Sequence, residues 1–203
     1  YKTIGMEITN KAGNFLMADD PVFEPIYRHI AAQRRTLVAH LAEPSSCWEP
    51  PNPASLDYGY YKKYPVEYAY LHPEYPSKAA ILAARDRMMA NHPQLLVVGA
   101  HLGSMETNVN DIALRLDRYP NFAVDTAARV PYWMLQPRDK VRAFLIKYQD
   151  RILYGTDFVF MPTDDTGKAL RKWTDTFERD WKYFSSKQTV QFKEHNIQAK
   201  AAQ

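Results

Sequence analysis

Five short apolar runs recur along this chain, each followed by loop residues and then a stretch with helical spacing. That alternation constrains the fold more than any other feature. Short apolar strands separated by amphipathic helices read as βα units of a parallel sheet, covered by helices. The runs are Thr3–Ile8, Thr36–Ala42, Leu95–Ala100, Phe122–Asp125 and Arg151–Tyr154. The intervening helices are read over Pro21–Arg34, Ser77–Asn91, Glu106–Arg118 and Pro137–Tyr148, with a long final one over Asp165–Ser185. Asp20 before Pro21, and Ser77, supply the polar side chain that caps a helix start. His92-Pro93 is a helix stop. The expected class is α/β: a (β/α)8 barrel, or the C-terminal five βα units of one. A closed barrel needs about 250 residues, more than the 203 present.

Three of the runs end in groups that carry chemistry. His40 closes Thr36-Leu-Val-Ala-His-Leu-Ala-Glu43, His101 closes Leu95-Leu-Val-Val-Gly-Ala-His-Leu-Gly103, and Asp157 closes Ile152-Leu-Tyr-Gly-Thr-Asp-Phe158. In barrels of parallel strands the carboxyl ends of the strands hold the reacting groups. Two imidazoles and a carboxylate in three such places point to a divalent metal site or an acid/base site. Taken singly, each histidine reads as a satisfied buried residue and Asp157 as a helix cap. The repetition carries the argument.

Composition narrows the partners. With 26 basic and 23 acidic residues well mixed, the net charge of +3 gives no nucleic-acid surface. No apolar run is long enough to span a bilayer. One cysteine, Cys47, excludes an intrachain disulfide. The expected partner is a small-molecule substrate. Dinucleotide, P-loop, HExxH and G-x-S-x-G motifs are absent.

The segment from Glu43 to Pro76, rich in proline and tyrosine, is too irregular for a packed connector and reads as a long loop or lid. Trp48 and His72 in it are candidate substrate-binding residues. Its tyrosines Tyr58, Tyr60, Tyr61, Tyr64, Tyr68 and Tyr70 could line a cleft, though packing against the barrel is the plainer reading. Arg129, after the Phe122–Asp125 run, suits a substrate carboxylate; a surface salt bridge is the equal alternative. Asp125 could hold Arg129, and Glu106 could support His101. The tail Gln191–Gln203 is polar and helix-friendly.

The wording of Gly99-Ala-His-Leu-Gly-Ser104, Asn121-Phe-Ala-Val-Asp-Thr-Ala-Ala-Arg129 and Asp150-Arg-Ile-Leu-Tyr-Gly-Thr-Asp157 resembles the metal-dependent hydrolases of the amidohydrolase superfamily, from about Ile4 to Ser185. The resemblance implies a (β/α)8 barrel of which these are strands four to eight. It makes His40 the strand-five metal ligand, His101 the strand-six histidine and Asp157 the strand-eight aspartate. It implies a divalent metal, with zinc expected, bound by His40, His101 and Asp157, and catalysis by Asp157 and His101. The implied reaction is hydrolysis of a small amide, lactone or ester by a metal-bound hydroxide. Non-oxidative decarboxylation is the alternative within the superfamily. A barrel-derived binding protein without catalysis is the alternative outside it.

The chain departs from the family in one respect: the His-x-His of the first strand is absent. The expectation is therefore a partial barrel, 1–203, holding half of the metal's ligands and prone to form homo-oligomers. Glu7, where the superfamily sometimes has a bridging carboxylated lysine, is a minor candidate ligand.

Overall fold

The computed structural model describes residues 4–195 and 197–203. Four parallel strands form one sheet: β1 (Thr36–Ala39), β2 (Leu96–Gly99), β3 (Phe122–Asp125) and β4 (Ile152–Leu153), in the order β1-β2-β3-β4. Sequential neighbours with no reversal are the order of a singly wound barrel, whereas a doubly wound sheet reverses direction from its first strand. The register pairs Val38 with Val98 and Val98 with Ala123, so the side chains alternate in step across the sheet.

The connections are helical. They comprise α1 (Glu24–Ala32), α2 (Tyr58–Lys63), α3 (Lys78–Asn91), the short element α4 (Ala100–Gly103), which is a left-handed turn, α5 (Val109–Arg118), α6 (Val130–Met134), α7 (Arg138–Tyr148) and α8 (Thr166–Ser185). Parallel crossovers are right-handed and put their helices on one face of a singly wound sheet. On that face Leu37, Val97, Phe122 and Val124 pack with Ile81 and Met88 of α3, Ile112 and Leu116 of α5, and Phe144 of α7. Caps match the sequence. Ser77 Oγ accepts from Ala80 N, and Asp165 Oδ1 accepts from Lys168 N. Asp165, not Asp157, therefore caps α8.

The opposite face of the sheet is open at its edges, although Val98 between Val38 and Ala123 is buried. Val38, Leu96 and Leu153 are 59%, 53% and 47% exposed. In a barrel this face is the filled interior. His40 continues the alternation of Thr36 and Val38, and so belongs to this side.

Three expectations are corrected. Thr3–Ile8 forms no strand over its described residues. Gly5, at φ +83°, lies in a turn whose backbone folds onto Leu16, and the sheet has four strands rather than five. The tail is an antiparallel hairpin, β5 (Thr189–Phe192) with β6 (Ile197–Lys200), not a helix. Burial of Val190 and Phe192 at alternate positions is period-two patterning that outweighs helix propensity. The segment from Glu43 to Pro76 is packed, with Cys47, Tyr61, Tyr68 and Ala69 in the core and its tyrosine rings against one another. Among the described residues no helix is long and apolar enough to cross a membrane.

Candidate active site

Backbone strain marks the carboxyl ends of the strands. Among the described residues seven non-glycine residues have positive φ, and six of them follow the sheet strands: Ala42, His101, Leu102, Ser104, Ala128 and Asp157. Each such residue costs of order 1–3 kcal/mol and persists only where its surroundings enforce it, as at binding sites.

The turn after β2 shows what enforces it. His101 to Ser104 form a left-handed turn, with φ between 56° and 59°. His101 N donates to Asp125 Oδ1 at 2.8 Å, and Ser104 Oγ donates to the Ala42 carbonyl at 2.8 Å. Buried Arg85 donates from Nη1 to the Gly103 carbonyl at 2.5 Å. A Cβ on Gly99 would lie 2.8 Å from Gly103 Cα and 2.9 Å from the Phe122 ring, so only glycine lets β2 meet this turn.

The turn delivers His101 beside His40. The ring centroids are 4.4 Å apart and the planes meet at 64°. His101 Nδ1 lies 2.8 Å from the Ala127 carbonyl, which can only accept, so Nδ1 carries the proton and Nε2 keeps a lone pair. Burial holds the His101 pKa below its usual 6.5, and the charges of Arg129 and His40 push the same way. The Ala127 carbonyl and Asp157 oppose them. The ring is therefore neutral near pH 7. His40 Nε2 is buried without a hydrogen bond, 3.3 Å from Glu43 Oε1 but not aligned with it.

Asp157 is exposed, in a left-handed conformation four residues beyond β4, and its charge acts on His101. Arg129 is half-buried, with Nε lacking a hydrogen-bond partner and its guanidinium 5.6 Å from the Tyr132 ring centroid. Trp48 and His72 belong to a different neighbourhood. Trp48 Nε1 donates to the Pro76 carbonyl, and His72 stacks on Tyr75 at 4.7 Å. Glu7 is exposed and its charge acts on Tyr75. No contact joins any of these three to the histidine pair among the described residues.

Sequence reasoning missed a buried ionic cluster formed by Lys78, Glu106 and Ser45. Lys78 Nζ lies 3.1 and 3.2 Å from the two oxygens of Glu106, which is 0% exposed, and donates to Ser45 Oγ at 2.9 Å. Ser45 N donates to Glu106 Oε1 at 2.7 Å. Burial lowers the Lys78 pKa, Glu106 restores part of it, and Arg129 lowers it further. Asp57 accepts from Ser46 Oγ at 2.6 Å and from the Tyr132 hydroxyl, tying the segment after β1 to the one after β3. The only available signal was Glu106 close after His101. Lys78 and Asp57 look like surface residues in the sequence.

A family model described as Amidohydrolase matches residues 4–183. Comparison with curated proteins finds no match. Similar solved structures include a TIM-barrel protein of Bordetella bronchiseptica, at 20% identity and TM-score 0.42, covering 80% of this chain and 44% of that one. Another is the 2,6-dihydroxybenzoate decarboxylase from Rhizobium, at 18% identity and TM-score 0.41, covering 84% of this chain and 54% of that one. The chain spans about half the length of these solved chains. The family match extends from the buried turn at Ile4 to Tyr183 of α8, across all four parallel strands and the histidine pair, and the chain belongs to the amidohydrolase family.

Proposed function

We propose that this chain carries part of the active site of a metal-dependent hydrolase acting on a small amide, lactone or ester. The single observation behind this reading is the pairing of His40 and His101 at the carboxyl ends of the strands, each with a ring nitrogen not used in a hydrogen bond. Amidohydrolases generally use a divalent metal, and this donor set suits one: imidazole nitrogens from His40 and His101 and a carboxylate from Asp157. The described residues include no group of three such side chains already gathered around one point. They therefore fit as part of a shell rather than the whole of it. A bound zinc ion would act as a Lewis acid on the substrate carbonyl and lower the pKa of its water.

The chain's own groups supply the rest. His101, neutral and fixed as the Nδ1–H tautomer by Ala127, presents a basic Nε2 to an incoming proton. Asp157 accepts and returns a proton at the solvent-facing side. Arg129 binds a substrate carboxylate, since its Nε lacks a hydrogen-bond partner among the described residues. The packed segment from Glu43 to Pro76 sits at this end of the sheet through Ser45 and Asp57 and limits access of water, which is the lid role proposed for it.

Arg129, whose charge acts on His101 and whose Nε has no hydrogen-bond partner among the described residues, also suits decarboxylation, in which a substrate carboxylate must be gripped before it leaves. The test is turnover by the zinc-loaded protein on a panel of amides, lactones and esters together with free carboxylic acids, with carbon dioxide and hydrolysis products followed together. Acid release without carbon dioxide, lost in His101→Gln, supports hydrolysis. Carbon dioxide release supports the alternative. Turnover unchanged in His101→Gln contradicts both.

A further inference from the structure

A second feature lies beyond the histidine pair. α8, the ends of β3 and β4, and His195 enclose a groove of about 680 Å³, within the range of small-molecule sites. Lys168, Arg171, Lys172, Asp175, Thr176 and Arg179 all line it, at helical spacing that puts them on one face of α8. Across the groove stand Thr126, Arg129 and Gly155.

The charges there do not cancel. Arg179 pairs with Asp180 at 3.2 Å and stacks over Phe192 at 4.0 Å, while Asp180 also accepts from the Tyr154 hydroxyl at 3.0 Å. Within this pair the two opposite charges offset each other. Among the described residues lining the groove, Lys168, Arg171, Lys172 and Arg129 then face Asp175 as the remaining carboxylate. Among the described residues none of these four cations has an ion pair, and the buried Nε of Arg129 has no partner at all. Thr126 Oγ1 is already occupied by Gly155, to whose carbonyl it donates and from whose N–H it accepts. The unsatisfied chemistry on both walls is therefore cationic.

We propose that this groove binds a small ligand carrying two or more negative charges, spread between Arg129 at one wall and Lys168, Arg171 and Lys172 at the other. A clustered field of one sign in a concave site concentrates such a ligand, and two separated cationic walls favour a polyanion over a monoanion. The chemistry admits a phosphate ester or a polycarboxylate. The inference shares Arg129 with the proposed substrate site but stands apart from the histidine pair, because Lys168, Arg171 and Lys172 of α8 carry the opposite wall.

The test is isothermal titration of metal-free protein with inorganic pyrophosphate, citrate and acetate. Saturable binding of pyrophosphate or citrate, at least tenfold tighter than acetate, is expected, and which of the two binds names the ligand's class. Arg171→Gln with Lys172→Gln weakens it at least tenfold, whereas Lys11→Gln with Lys187→Gln changes it less than threefold. His40→Ala leaves it intact, which separates this groove from the metal reading. Circular dichroism confirms that each variant folds. Absence of saturable polyanion binding, acetate binding as tight, or equal weakening by both double variants would overturn the proposal.

Discussion

At the scale of single residues, His101 is the most constrained group in the site. Its backbone N–H is held by Asp125, its Nδ1–H by Ala127, and its ring faces His40. Burial lowers its pKa below 6.5, so between the folded and unfolded values the unfolded chain binds more protons. The stability that the neutral ring contributes is thus present above pH 6.5 and is lost as the pH falls from there to the folded value. In the metal-free chain we expect the His101 imidazole to titrate below 6.5 by NMR. His101→Gln should remove part of the acid-side loss of stability; a midpoint above 6.5 would contradict this assignment. His101 was legible as a functional candidate, since its type and its place after a strand are both visible in sequence. Its left-handed backbone was not, because that conformation depends on Arg85, Asp125 and Ala42, which are distant in the chain.

At the scale of elements, the Lys78–Glu106 pair joins the start of α3 to the loop before α5 and to Ser45. Truncating one member of a buried ion pair leaves the other charged and unpaired, at a cost of about 3–5 kcal/mol. Glu106→Ala should destabilise the protein by that order in urea unfolding, and Glu106→Gln by less. A change below about 1 kcal/mol would show that Lys78 escapes to solvent. Gly99→Ala should also destabilise, by about 1–3 kcal/mol, because Gly103 and Phe122 leave no room for a Cβ. The strands carrying His40, His101 and Asp125, and the capped helices after Ser77 and Asp165, were legible because propensity, cap and burial agree there. Thr3–Ile8 misled because its apolar residues serve a turn at Gly5, a signal of the same composition as a strand. The segment from Glu43 to Pro76 misled because its order comes from tertiary contacts such as Tyr132 with Asp57, not from periodicity.

At the scale of the molecule, the sheet buries one apolar face and exposes the other. Val38, Leu96 and Leu153 on the sheet, with Trp173, Phe177 and Trp181 of α8, form apolar surface of the kind that drives association. The isolated 203-residue chain should therefore elute from size exclusion as more than a monomer at micromolar concentration, with Val38→Lys and Leu96→Lys shifting it toward the monomer. A monodisperse monomer would contradict this. The central claim is that the carboxyl ends of the strands hold half of a metal shell, and zinc titration of this chain tests it most directly. The account predicts weak binding of one equivalent, abolished by His40→Ala and by His101→Ala and reduced by Asp157→Ala. No saturable zinc binding, or binding unchanged in both histidine variants, would contradict it.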